Sequence, residues 1–243
     1  MLAIALLSQI AYPLLNGEKL RIITLISVYS AALTMVLHGY FNFGARFATR
    51  FLLITFTYAW VTEKLGTSTG WPFGNYRYSQ TLGVQLLEVP LVVMFAWMMM
   101  AYPILISARR VTRYWVFLFG GYAMMAWDLF LDPQMVDAGR WSWQFSAHHV
   151  PFQPEIPISN AFGWMLTGMG LIGLLHFLLP KERRASASYR LIPEIFLIWT
   201  WISGIIANIF FFNRPGTALI GGVALGLFVI PCLVLSRIGR ADD

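Results

Sequence analysis

Charge is scarce in this sequence. Of 243 residues only 12% are Asp, Glu, Lys or Arg, about half the usual share of a soluble domain. There is a single cysteine, Cys232. That excludes an intrachain disulfide and any Cys-based metal or redox motif. Histidine is rare too, with four in the chain. His148 and His149 are adjacent in a loop, and no HxxxH or HxxHH box accompanies them. A membrane di-iron hydroxylase or desaturase needs clusters of His ligands, so the pattern argues against that class. No internal repeat or low-complexity tract interrupts the chain.

What the sequence has in abundance is apolar length. Hydrophobic residues make up 58% of it, more than a soluble core of this size can use. Runs such as LLEVPLVVMFAWMMMAYPILI are continuous. The strands of a membrane barrel alternate apolar and polar residues over about 10 positions, so helices are favoured here. A helix also satisfies its own backbone in lipid. Crossing the bilayer takes roughly 20 mostly apolar residues. The expected fold is all-α: a polytopic integral membrane helix bundle of seven to eight transmembrane helices, forming one domain over residues 1–243. Expected spans are 1–15, 20–43, 47–66, 82–107, 112–132, 158–179, 190–212 and 216–236, the first being short. Met1–Leu15 lacks a basic start and a small-residue cleavage site, so it reads as a first helix rather than a signal peptide.

The net charge of +6 would raise nucleic acid as a partner in a soluble protein. Here the cations instead set orientation. Arg46, Arg50, Arg109, Arg110, Arg113, Lys181, Arg183, Arg184, Arg190, Arg237 and Arg240 fall on one side of an eight-span layout. They outnumber Lys19, Arg21, Lys64, Arg77, Arg140 and Arg214 on the other. The positive-inside rule then predicts a multi-pass protein of the cell membrane with both termini cytoplasmic. The two long connections, GTSTGWPFGNYRYSQT and DPQMVDAGRWSWQFSAHHVPFQPEIP, share the opposite side. Long structured loops often wall or cover a site.

Ionisable groups within spans are costly and are candidate functional residues by default. His38, Glu63, Glu88, Asp128, Asp132, His176 and Glu194 qualify. Asp128 and Asp132, in AWDLFLDP, are four apart and share one helix face. Pro133 is expected to mark the end of that helix. Two close carboxyls in low dielectric do not both ionise cheaply, and a neutral acid is what general acid catalysis needs. The alternative is a buried pair bonded to Trp, Tyr or Arg that fixes helix packing. Glu63 sits at the end of its span, either as a functional acid at the same depth or as an interfacial carboxylate paired with Lys64 or Arg77. Glu88 is expected on the first turns of the fourth span. Glu194 reads as a helix-start carboxylate, His38 as packing and His176 as interfacial. GGVALG at 221–226 reads as small-residue helix packing.

Aromatics reach 16%. Trp71, Phe73, Tyr76, Tyr78, Trp127, Trp141, Trp143, Phe145 and Trp164 crowd around the acids and the long loops in sequence. They form either an interfacial girdle or a wall of π faces suited to a carbocation and to a long polyene.

The ordered stretches EKLGTSTGWPFGNYRYSQTLG, VP, WDLFLDPQM, WSW and IPISNAFGW resemble the carotenoid hydratase family of bacteria and archaea. The resemblance runs from about residue 55 to 166. It implies cofactor-independent addition of water to the terminal C1=C2 bond of an acyclic carotenoid end, giving a tertiary alcohol. Glu63, Asp128 and Asp132 match the family's acidic positions and become the catalytic candidates. Glu88, Trp71, Phe73, Tyr76, Tyr78, Trp127, Trp141, Trp143, Asn160 and Trp164 are the substrate-binding candidates. No metal is expected. Ser146–Glu155 departs from the family's shorter, Gly-containing stretch, which leaves end-group selectivity open. The expected partners are a carotenoid dissolved in the bilayer, membrane lipids and other enzymes of carotenoid biosynthesis. Rival readings are an end-group cyclase or isomerase, and a non-enzymatic transporter or lipid-binding scaffold.

Overall fold

A computed structural model describes residues 1–144, 146–181 and 191–238, with side chains to residue 235. Phe145 and the cations Arg183, Arg184, Arg190 and Arg240 lie outside the described residues, and so does the side chain of Arg237. Eight α-helices are described: α1 (Leu2–Ala11), α2 (Gly17–Phe43), α3 (Ala45–Thr69), α4 (Leu91–Val111), α5 (Val116–Asp137), α6 (Ile158–Leu178), α7 (Leu191–Phe210) and α8 (Pro215–Ile238). The protein is an all-α membrane helix bundle. Among the described residues α2, α4, α6, α7 and α8 are long and apolar enough to cross a membrane. Helices α3 and α5 have comparable length but carry the acids Glu63, Asp128 and Asp132. Helix α1 has 10 residues, about 15 Å of helix, and continues into a 3-10 turn at Tyr12–Leu14.

Helix α4 is the axis. It is apolar all round, and 83% of its apolar stretch is buried, as expected for a helix enclosed by others. It packs against α2, α3, α5, α6, α7 and α8. Trp97, Met98, Met100 and Tyr102 are fully buried on it. Its start differs from the expected 82–107. Residues before Leu91 form a two-stranded ribbon, β2 (Gln85–Leu86) with β3 (Val89–Pro90). Pro90 supplies extended backbone at the N-cap, with φ −64° and ψ 132°, so the helix begins only after it.

Helix α5 also differs from expectation, because it runs through Pro133 to Asp137. A proline within a helix frees the carbonyl four residues earlier. Here that is Leu129, and the Gln153 side chain donates to its oxygen at 2.8 Å. A side-chain amide from a β-ribbon therefore replaces the lost helical bond.

Helices α5 and α6 pack so closely that a Cβ on Gly121 would stand 2.7 Å from the Met169 nitrogen and 2.8 Å from the Met165 oxygen. Only a residue without a side chain permits that approach. On α8, Gly221 packs against Phe130 and Gly226 against Trp201, in keeping with small-residue packing at GGVALG.

The two long connections meet. Strand β1 (Tyr76–Tyr78) pairs antiparallel with β4 (Trp141–Trp143), in the register Tyr76 to Trp143 and Tyr78 to Trp141. The period-2 rule sends Tyr76, Tyr78, Trp141 and Trp143 to one face and Arg77 and Ser142 to the other. A third ribbon, β5 (His149–Val150) with β6 (Gln153–Pro157), leads into α6. Gly70, at φ 77°, ends α3 in left-handed backbone and turns the chain into the first loop.

Candidate active site

The inward face of the β1–β4 ribbon closes one end of a cavity between α2, α3, α4, α5 and α6. Its walls include Glu63, Phe73, Tyr76, Tyr78, Trp97, Asp132, Trp141, Trp143, Asn160 and Trp164. Its volume is about 70 Å³, where a single water needs about 10–15 Å³. That is room for a small group or the tip of a chain, and too little for a whole polyene.

Glu63, near the end of α3, is buried and held by three neutral donors. The Tyr76 and Tyr78 hydroxyls donate to Oε2 at 2.5 and 2.7 Å. The Trp97 indole donates to Oε1 at 2.9 Å. Neither Lys64 nor Arg77 pairs with it; Lys64 bridges to Glu88 at 2.7 Å. Burial first, and then the charge of Glu63, hold both phenols well above the ordinary tyrosine range. They therefore stay protonated and remain donors. Gly66 makes room for this contact, since a Cβ there would lie 2.7 Å from the Tyr76 hydroxyl.

Asp128 and Asp132 are also buried. One side chain bridges them: the Asn160 amide donates to Asp128 Oδ2 at 3.0 Å and to Asp132 Oδ2. Trp141 donates to Asp132 Oδ1 at 3.1 Å. The Asp128 Oδ1 atom is buried and has no hydrogen-bond partner among the described residues. Asp132 faces the cavity and Asp128 is absent from its lining. The pair thus has an inner and an outer member.

The aromatic wall is ordered by contacts between rings. Trp97 and Trp164 stack at 4.6 Å and 25°. Phe73 packs on Trp164 and on Tyr76, each with centroids 6.0 Å apart. The Trp143 indole donates to the Phe73 carbonyl at 3.0 Å.

Three sequence candidates lie elsewhere. Glu88 sits in the turn between β2 and β3, with its side chain 81% exposed. It is not on α4, because that helix starts after Pro90. Hydrogen bonding to Lys64 lowers its pKa, as suits a surface ion pair. Trp71 is 57% exposed, on the outside of the first loop. Trp127 is buried, but packs against Phe196 at 5.8 Å and lines a neighbouring cavity instead. It immediately precedes Asp128, which turns it about 100° around α5 from that side chain. His38 bonds Tyr102 at 2.7 Å in the packed core, away from this cavity. His176 receives a bond from Arg109, which also caps the carbonyls ending α6.

Sequence reasoning missed Trp97 and Gln153. A tryptophan in mid-span rather than at the interface was the available sign for Trp97. No local sign exists for Gln153, because its partner is a carbonyl 24 positions away.

Fold and site together define a membrane helix bundle with buried carboxyls around a small aromatic cavity. The chain matches the family model described as carotenoid biosynthesis protein over residues 22–229, and it belongs to that family. It is 32% identical over 146 residues to bisanhydrobacterioruberin hydratase of Haloarcula japonica, covering 57% of this chain and 48% of the relative. The chain thus spans about half the length of that curated relative. No solved structure matches it.

Proposed function

We propose that this protein adds water to a terminal carbon–carbon double bond of an acyclic carotenoid end, without a cofactor, as a hydro-lyase. The observation that carries the reading is that one small aromatic cavity is bordered both by Asp132, the inner member of an aspartate pair bridged by one amide, and by the separately caged Glu63. The hydratase name of the Haloarcula japonica relative supports the reaction class.

Two buried carboxyls bridged by one amide hold a proton between them, since two adjacent charges there are too costly. Asp132 borders the cavity, so it is the donor. It protonates C2 of the end group, and the tertiary cation forms at C1. The rings of Trp143, Trp164 and Phe73 face that charge. Glu63 has three donors aimed at it, and these offset part of the cost of charging a buried carboxyl. It orients a water molecule and takes its proton as the C1–O bond forms. The product is a tertiary alcohol. Asp128 is the reserve carboxyl behind Asp132, and Asn160 positions both.

The cavity admits only an end group, so the rest of the polyene lies along the bundle in the bilayer. The cation balance between loops supports a multi-pass orientation in the cell membrane with both termini cytoplasmic.

Expression in hosts that accumulate lycopene, γ-carotene or bisanhydrobacterioruberin tests the reading by pigment mass. A gain of one water supports hydration. An isomer of unchanged mass points to a cyclase or isomerase using the same cation. Unchanged pigments with all three overturn the enzymatic reading.

A further inference from the structure

A second cavity adjoins the first, between α1, α2, α5 and α7. Its volume is about 140 Å³. Thr24, Val28, Met99, Leu131 and Met135 line both spaces. Leu131 and Met135 flank Asp132 on α5, so the partition stands beside the acid. Two of its members are methionines, whose unbranched side chains shift readily.

The two spaces differ in chemistry. The first is walled by rings and acids. The second has neutral polar groups: Gln9, Tyr12, Ser27, Gln134, Thr200 and Ser203. Thr200 returns its hydroxyl to the Phe196 carbonyl, and Gln9 accepts from Trp199 at 2.7 Å. The Ser27, Gln134 and Ser203 side chains have no hydrogen-bond partner among the described residues. Ser27 is buried, and Gln134 and Ser203 are half-buried; polar groups that line a cavity in a membrane bundle without protein partners are satisfied by water. Tyr12, Pro13 and Phe212 lie in connections between helices at this cavity's outer end. Gln134 and Met135 belong to the same end of α5 as the acids.

We infer that this second cavity is the water chamber of the reaction, delivering the nucleophile past Leu131 and Met135 to the cation. The inference rests on the hydration reading above. It divides the site by function. The polyene end enters the aromatic cavity, and water arrives through the polar one.

The division has a signature. Protonation at C2 by Asp132 breaks the C1=C2 π bond and leaves the cation at C1. Water attack forms C1–O, and the extra water proton goes to Glu63. If water is withheld, the cation instead returns a C2 proton to the Asp132 carboxylate and re-forms the double bond. In D2O the donated particle is a deuteron, so the recovered polyene carries deuterium at C2.

The test uses the full chain in membranes loaded with lycopene in D2O. Ser203→Leu fills the chamber, and Ser27→Leu fills it from the opposite wall. Each should lower alcohol formation roughly tenfold while deuterium at C2 of the recovered polyene holds or rises. Ile202→Leu, on the exposed side of the same helix as Ser203 and outside both cavities, should stay within about twofold of the parent. Alcohol formation unchanged in both leucine variants overturns the inference. So does a parallel loss of alcohol and deuterium in both, which would mean that the cavity serves folding or substrate binding. If the unsubstituted chain forms neither alcohol nor deuterated polyene from lycopene, γ-carotene or bisanhydrobacterioruberin, the hydration reading itself falls first.

Discussion

Glu63 and the Asp128–Asp132 pair are buried to the same degree, yet one acid stands alone among donors and the other two stand beside each other with fewer. One carboxyl on α3 receives three donors, from Tyr76, Tyr78 and Trp97. Two carboxyls on α5 share one amide; Asp132 has one further donor, Trp141, and Asp128 Oδ1 has no partner among the described residues. Burial alone does not assign a role to an acid. The number of donors aimed at it does, because each donor favours the charged form and its absence favours the proton.

Asp132→Asn tests that contrast hardest. It removes the cavity-facing proton donor, and alcohol formation should fall by about a thousandfold or more, within the range of general acid catalysis. Asp128→Asn should cost less, because the asparagine still packs beside Asn160. Equal loss in the two variants would erase the distinction between inner and outer members. Glu63→Gln should lower hydration by about a hundredfold while leaving deuterium exchange at C2 measurable, since protonation precedes the step that needs Glu63. Loss of exchange as well would make Glu63 part of the acid. Trp97→Phe keeps a ring against Trp164 but deletes one of three donors. A hydrogen bond to a charged group contributes about 1.5–3 kcal/mol, so the loss should be roughly tenfold to a hundredfold in kcat. At the small end, Glu88→Gln should change neither pigment conversion nor thermal stability, because its ion pair with Lys64 lies on the surface.

Much of the site was legible in the chain. The i, i+4 spacing places Asp128 and Asp132 on one face whatever surrounds them. The YRY and WSW triplets, with their alternating rings, already read as material for a site wall. Their pairing did not, since 62 or more positions separate the partners and no local rule brings them together. Glu88 shows the limit from the other side. An acid next to an apolar run reads as part of a span, until Pro90 delays the helix and leaves it in a turn. Pro133 is the converse. Locally it reads as a stop, but a glutamine from a distant ribbon takes up the freed carbonyl and the helix continues.

By itself the sequence determined the solvent and the element type. With so few charges and such long apolar runs, only a bundle of helices in lipid satisfies the backbone. It also determined which acids would be costly to hold there. The tertiary structure alone decided which of them meet, how many donors each receives, and which one borders the cavity. Those outcomes depend on contacts between helices that are distant in the chain. One of them, the glycine-tight seam of α5 and α6, brings Asn160 against both aspartates.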